Sequence, residues 1–418
     1  MPRHIPIALL LFTALAIHAW GQPAVPLPKA SIEVVLWASR DTPEARAAVQ
    51  IAGAYQLHNP QVRVNIRYCP DTDPYKALQR WFDTYKIEAS DLVIVPGQWV
   101  GEFADSLLPL DKGILSGFAP PVVSGLVKKD KALGVPWIVN TPALLCRSDL
   151  LPAGKKAAPT TWDSLETTAS ALTQRDKVWG MGLAADRSHA AQLLLQLLWT
   201  EGGEPFGTDG KLQLSIPELK AALSRLHSLG DSGGCQPELL SWSQSELCDV
   251  YAEGRLAMLA IDRSAERALA RRKDVPAYTV ARWPGSKRPT AMISLSLIVG
   301  TASTRKSAEV ADFLKFVASP EAQKQLAVLA DSVPCQRELM RTMHGEANLG
   351  AFIDALGDAR ALPAEGEGYS RLLQVYDWLV CEVVKGRYTP EKALAEAEKA
   401  CREMDQPPVE DKPGPPAQ

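Results

Sequence analysis

Asp91-Leu92-Val93-Ile94-Val95-Pro96-Gly97-Gln98-Trp99 is the stretch on which the fold class turns. Four consecutive apolar residues without alternation, closed by Pro-Gly, suit a strand buried on both faces, as in a parallel sheet covered by helices. Working back toward the N-terminus, Val62 to Tyr68 alternates with period two, and Ile32 to Trp37 reads as a further strand. Segments 43–57 and 75–86, between these runs, carry helical apolar spacing. A β-α-β-α-β order with right-handed crossovers predicts an α/β domain.

Beyond it, Ala143 to Cys146 reads as a strand following Gly134-Val135-Pro136-Trp137. Thr161 is the expected N-cap of a helix beginning at Trp162. Ser188-His189 opens a strongly apolar helix that runs to Thr200 and stops at Gly202-Gly203. Ser215 with Pro217 starts the next helix. Strands are expected at Arg255 to Ile261, Tyr278 to Val280 and Ser294 to Val299. Arg305 to Ala318 and a capped restart at Ser319-Pro320-Glu321 are helical. After Pro334 the pattern is helical to about Met404, and Pro-rich 406–418 is an expected disordered tail.

With 418 residues, two or three domains of roughly 150 residues are expected. Lys and Arg number 45 against 48 Asp and Glu, for a net charge of −3. That balance argues against a nucleic-acid partner held by bulk electrostatics. Met1-Pro2-Arg3-His4, the apolar run Ile5 to Ile17 and Ala19-Trp20-Gly21 have the three parts of a cleavable signal peptide, residues 1–21. The apolar run is shorter than the roughly 20 residues a membrane span needs. A periplasmic, exported chain is the expectation. Its seven cysteines include no CxxC, which removes zinc ribbons and thioredoxin-like chemistry and leaves no metal centre expected. Cys235–Cys248 is the first disulfide to consider, since it would close a short loop; buried free thiols are the alternative.

Several segments together resemble the extracellular solute-binding proteins of ABC importers typified by maltose-binding protein. Asp91 to Ala104 with Leu108-Pro109-Leu110-Asp111, Gly134-Val135-Pro136 through Ser148-Asp149-Leu150, and Pro159-Thr160-Thr161-Trp162-Asp163-Ser164-Leu165 carry the likeness. So do Gly254-Arg255-Leu256-Ala257-Met258, Ala318-Ser319-Pro320-Glu321-Ala322-Gln323 and Gly386-Arg387 with Thr389-Pro390-Glu391-Lys392-Ala393-Leu394. The resemblance implies a two-lobe periplasmic binding protein fold of type II, α/β, with the ligand in a cleft between lobes joined by crossing strands. Lobe one is expected at 30–139 and 280–318, lobe two at 140–279 and 319–405. The implied function is capture of a small solute, a carbohydrate first, for delivery to a membrane permease by a monomer without cofactor or catalysis. Sensing without import, or binding of an organic anion or polyamine, is the alternative.

Ligands of open α/β sheets collect beyond the carboxyl ends of strands. That rule selects Trp37, Ser39 and Asp41 after the first strand, and Gln98 and Trp99 after the third. The resemblance adds Asn140 in the crossing segment. Asp262 and Ser264 follow the Met258 strand, and Tyr369 lies where late helices approach the cleft. Aromatic faces beside neutral or acidic hydrogen-bonding groups suit a sugar, whose C–H faces stack while its hydroxyls bond. Among these, Asp41 has a second reading as a helix cap. The chain holds no GxSxG, HExxH, Walker A or GxGxxG motif.

Overall fold

The computed structural model describes residues 28–69, 76, 78, 80, 90–151, 158–174, 177–186, 189–236, 239–287, 290–361 and 368–404. The expected signal peptide, the Pro-rich tail, Ser188 and most of the expected 75–86 helix lie outside the described residues.

Two sheets organise the chain. Strands β1 (Ala30–Leu36), β2 (Val62–Tyr68), β3 (Leu92–Pro96), β7 (Val135–Asn140) and β12 (Ser294–Gly300) form the first, in the order β2-β1-β3-β12-β7. β1 is parallel to β2 and β3, whereas β12 runs antiparallel to β3 and β7. Helix α1 (Pro43–His58) connects β1 to β2 and buries Ala45, Ala47, Ala48 and Ala52 with Ile51 and Tyr55. Thr42 caps it, its hydroxyl accepting from the Ala45 N–H at 3.1 Å. The apolar β3 run is buried at all four of its first positions, as the absence of alternation predicts.

The second sheet has the order β11-β8-β10-β9, from β8 (Ala143–Arg147), β9 (Trp179–Gly182), β10 (Leu256–Ile261) and β11 (Tyr278–Arg282). Thr161 and Ser164 form a capping box at the start of helix α3 (Trp162–Leu172). Trp162 is fully buried there and meets Trp283 edge-on at 5.6 Å between ring centroids. Three short strands β4 (Leu110–Asp111), β5 (Val127–Lys128) and β6 (Lys131–Ala132) make a small third sheet. A short helix α2 (Pro120–Val123) precedes β5.

The chain crosses between lobes three times. The first crossing is Thr141-Pro142, between β7 and β8; Thr141 is buried and its hydroxyl donates to the Phe352 carbonyl at 3.2 Å. Two of the expected lobe boundaries fall elsewhere. β11 pairs with β8 over its whole length, so 280–282 stay in lobe two and the return comes near Thr290 to Ile293. Helix α9 (Pro320–Leu329) packs on α1 and β7, so it belongs to lobe one, and the third crossing falls in 343–349, before α11 (Leu349–Gly357) packs on β11. Both misplacements have one physical cause. An exposed edge strand and an amphipathic surface helix look alike in sequence whichever sheet they cover.

Cys235 and Cys248 are both buried free thiols, not a disulfide. Burial in apolar surroundings pushes the Cys235 thiol up to about 12 and that of Cys248 to about 11.

Candidate functional site

A cleft between the two sheets holds two adjoining cavities. The larger, about 170 Å³, lies against the first crossing and is lined by Asn140 from β7, Asp262 beyond β10 and Gln192 and Gln196 from helix α4 (Ala190–Thr200). The smaller, about 50 Å³, is lined by Gln98 and Ser124 of lobe one and by Gln192 and Tyr369 of lobe two. Gln192, Met292 and Ser294 line both, so the two are one continuous cleft.

Each wall is placed by a local cause. β3 ends at Pro96 and passes into a single 3₁₀ turn, Gly97–Trp99, which turns Gln98 toward the cleft. Gly97 packs so closely on β12 that a Cβ there would stand 3.1 Å from the Leu295 side chain and 3.2 Å from its carbonyl oxygen. From lobe two, β10 ends at Ile261 and the next residue, Asp262, caps helix α7 (Arg263–Ala270). Its Oδ1 accepts from the Ala265 N–H and the Ser264 hydroxyl, both at 2.8 Å. Tyr369 opens helix α12 (Tyr369–Val384), is 7% exposed, and has its phenol pushed well up by burial. Asp377 of that helix accepts from the Ala191 N–H at 2.8 Å and so caps α4 from outside. This bond locks the helix bearing Tyr369 to the helix bearing Gln192 and Gln196.

The structure therefore brings together four of the nine residues selected by sequence: Gln98, Asn140, Asp262 and Tyr369. Trp37, Ser39, Asp41, Trp99 and Ser264 line neither cavity. Trp37 and Trp99 are partly buried and pack against the core. The Ser39 carbonyl accepts from Thr42 and the Asp41 carbonyl from Arg46, so both help shape the turn into α1. Ser264 is bonded to the Asp262 cap.

Sequence reasoning missed Gln192, Gln196, Gln244 and Ser294, which also line the cleft. A signal for the first two was available. They are the only polar residues between Ala190 and Trp199, four apart and so on one helical face.

The lining mixes apolar side chains, such as Leu193, Ile261 and Met292, with polar groups that are mostly carboxamides and hydroxyls. Among the described residues His189 also lines the larger cavity, and no Lys or Arg lines either one. Among the described residues Asp262 is the one lining carboxylate, with one oxygen already bound in the cap. Among the described residues no group of three or more His, Cys, Asp or Glu could hold a metal ion.

The family model for bacterial extracellular solute-binding proteins matches residues 50–340, more than half of the chain. This chain belongs to that family. Its fold is shared with T. maritima MalE3 with maltose bound, at 20% identity and a TM-score of 0.77, covering 89% of this chain and 99% of that one. The sugar-binding protein MalE of Xanthomonas citri is similar at 19% identity and a TM-score of 0.78, over 88% of this chain and 95% of the other. In sequence, a Brucella abortus (strain 2308) protein that carries the name of a binding protein is 23% identical over 365 residues, 83% of this chain and 87% of its own length. The solute-binding family member described here is thus a two-lobe receptor with its cleft between the lobes.

Proposed function

We propose that this solute-binding protein captures a carbohydrate in the interlobe cleft and delivers it to the permease of an ABC importer. It acts in the periplasm as a monomer, exported by residues 1–21, and works by binding rather than catalysis. The observation that carries the reading is the cleft lining, whose polar groups are mostly amides and hydroxyls and which, among the described residues, includes no Lys or Arg. A carboxylate or phosphate ligand would enter such a site without the Arg or Lys that ordinarily pairs with it. Among the described residues a polyamine would find a single lining carboxylate, half committed to a helix cap. Neutral hydroxyls, which both donate and accept, match carboxamides directly. The maltose and acarbose named for structures of this fold are ligands of that kind.

The test is a thermal-shift screen of the mature chain against mono- and disaccharides, polyols, dicarboxylates, inorganic phosphate and spermidine. A solute at a hundredfold excess over its Kd stabilises by about 2.7 kcal/mol. Saccharides should raise the unfolding midpoint and the anions should not. A shift produced by dicarboxylates or spermidine alone would overturn the reading.

A further inference from the structure

Between Ala190 and Trp199 helix α4 is apolar except for its two glutamines, and it is buried on nearly every side. Gln196 is 5% exposed, yet its Nε2 is fully buried and has no hydrogen-bond partner. Across the same 170 Å³ cavity, Asn140 Oδ1 is buried and equally unpartnered. Buried polar groups ordinarily find partners, and each exception calls for an explanation. Here one exception is a donor and the other an acceptor. They belong to residues from opposite lobes that line one cavity.

We propose that Gln196 is a specificity-determining residue, which with Asn140 brackets one hydroxyl of the bound saccharide from the two lobes. A hydroxyl donates its proton to Asn140 Oδ1 and accepts from Gln196 Nε2, satisfying both groups at once. An ether, a methyl group or a hydrogen at that ligand position satisfies neither or only one. A site built to bond a hydroxyl strongly rejects the analogue that lacks it, because its own polar groups are left buried and unpaired. The hydroxyl also ties lobe one to lobe two directly, coupling recognition to closure. The proposal rests on the saccharide reading for its ligand, while the placement of Gln196 is independent of it.

The experiment compares wild type with Gln196→Met, of similar length and apolar. The ligand-free unfolding midpoint is measured first. Titrations follow with maltose, D-glucose and the monodeoxy derivatives of D-glucose. The unliganded variant should unfold at the same or a higher temperature, since a buried donor without a partner has been removed. Saccharide affinity should fall at least about tenfold, ~1.4 kcal/mol. The deoxy derivative that wild type rejects should bind the variant as well as its parent sugar does. Asn140→Leu should lose a similar amount, and the double variant little more than either single change. A lowered midpoint in the unliganded variant would assign Gln196 to the packing of lobe two and overturn the proposal; so would undiminished saccharide affinity. If no sugar shifts wild type, the carbohydrate reading fails, and the ligand-free midpoints alone decide whether Gln196 is structural.

Discussion

Asp331 of lobe one is bound to Arg271 of lobe two, whose Nη2 lies 2.9 and 2.6 Å from the two carboxylate oxygens. Arg267 stands 3.6 Å away on the same side. The Asp331 backbone is left-handed, φ 51°, which Asp and Asn tolerate better than most residues. These pairs join the lobes in the arrangement where both line one cleft. Removing them should therefore favour open arrangements. Asp331→Asn keeps the backbone preference and removes the charge. It is predicted to weaken saccharide binding severalfold without touching the cleft. The arginines are about half exposed, which limits the pairs to roughly 1 kcal/mol, and the difference from wild type should shrink in 0.5 M salt. Titrations at two salt concentrations test this, and equal affinities at low salt would show that the bridge does not bias closure.

Trp99 stands at a strand end but packs partly buried against the core instead of lining the cleft. Trp99→Ala should therefore lower stability, by about 1–3 kcal/mol for a half-buried indole, and leave affinity within about threefold. Unfolding and binding measured on one preparation separate the outcomes. A large affinity loss at unchanged stability would restore Trp99 to the ligand site.

Glu44, in the first turn of α1, has its carboxyl pushed up to about 7, because burial disfavours the carboxylate by more than the nearby Trp137 indole favours it. The unfolded chain releases this proton near 4.5 and the folded chain only near 7. The contribution is thus complete below about pH 4.5 and is lost as pH rises to about 7. Stability should carry a downward slope across that window, and Glu44→Gln should remove it. Denaturation from pH 4.5 to 7.5 measures the slope, and identical profiles for the two proteins would contradict the assignment.

Thiols as buried as Cys146, Cys235 and Cys335, each pushed up to about 12, should resist alkylation in the native protein and react on unfolding. Peptide mapping without reduction should return Cys235 and Cys248 as separate peptides. A Cys235–Cys248 crosslinked peptide would refute the free-thiol state.

Sequence carried the elements well. The unbroken apolar run of β3, the Thr161 N-cap and the Ser319-Pro320-Glu321 helix start are local signals, and the structure realises each of them. The site was only partly legible because the strand-end rule does not say where a strand sits in its sheet. β1 lies one place in from the β2 edge, and its end residues Trp37, Ser39 and Asp41 line neither cavity. Gln98 and Ser294, beside the central strands β3 and β12, line the cleft. Gln192 and Gln196 sat in an apolar helix that reads as plain core. Only the tertiary fold turns that face toward the cleft. Ser215, the expected N-cap, gives way to Ile216, which makes no side-chain cap bond.

The central claim is that a saccharide sits between the lobes. A crystal structure of the protein grown with a sugar that raises its unfolding midpoint tests it most directly. The account predicts ligand density in contact with Gln98, Asn140, Gln192 and Tyr369, with atoms from both lobes within hydrogen-bond distance. A separate cavity of about 530 Å³ lies within lobe two, beside Trp179, His227 and Gln236. Sugar density there, with the interlobe cleft holding only solvent, would contradict the account.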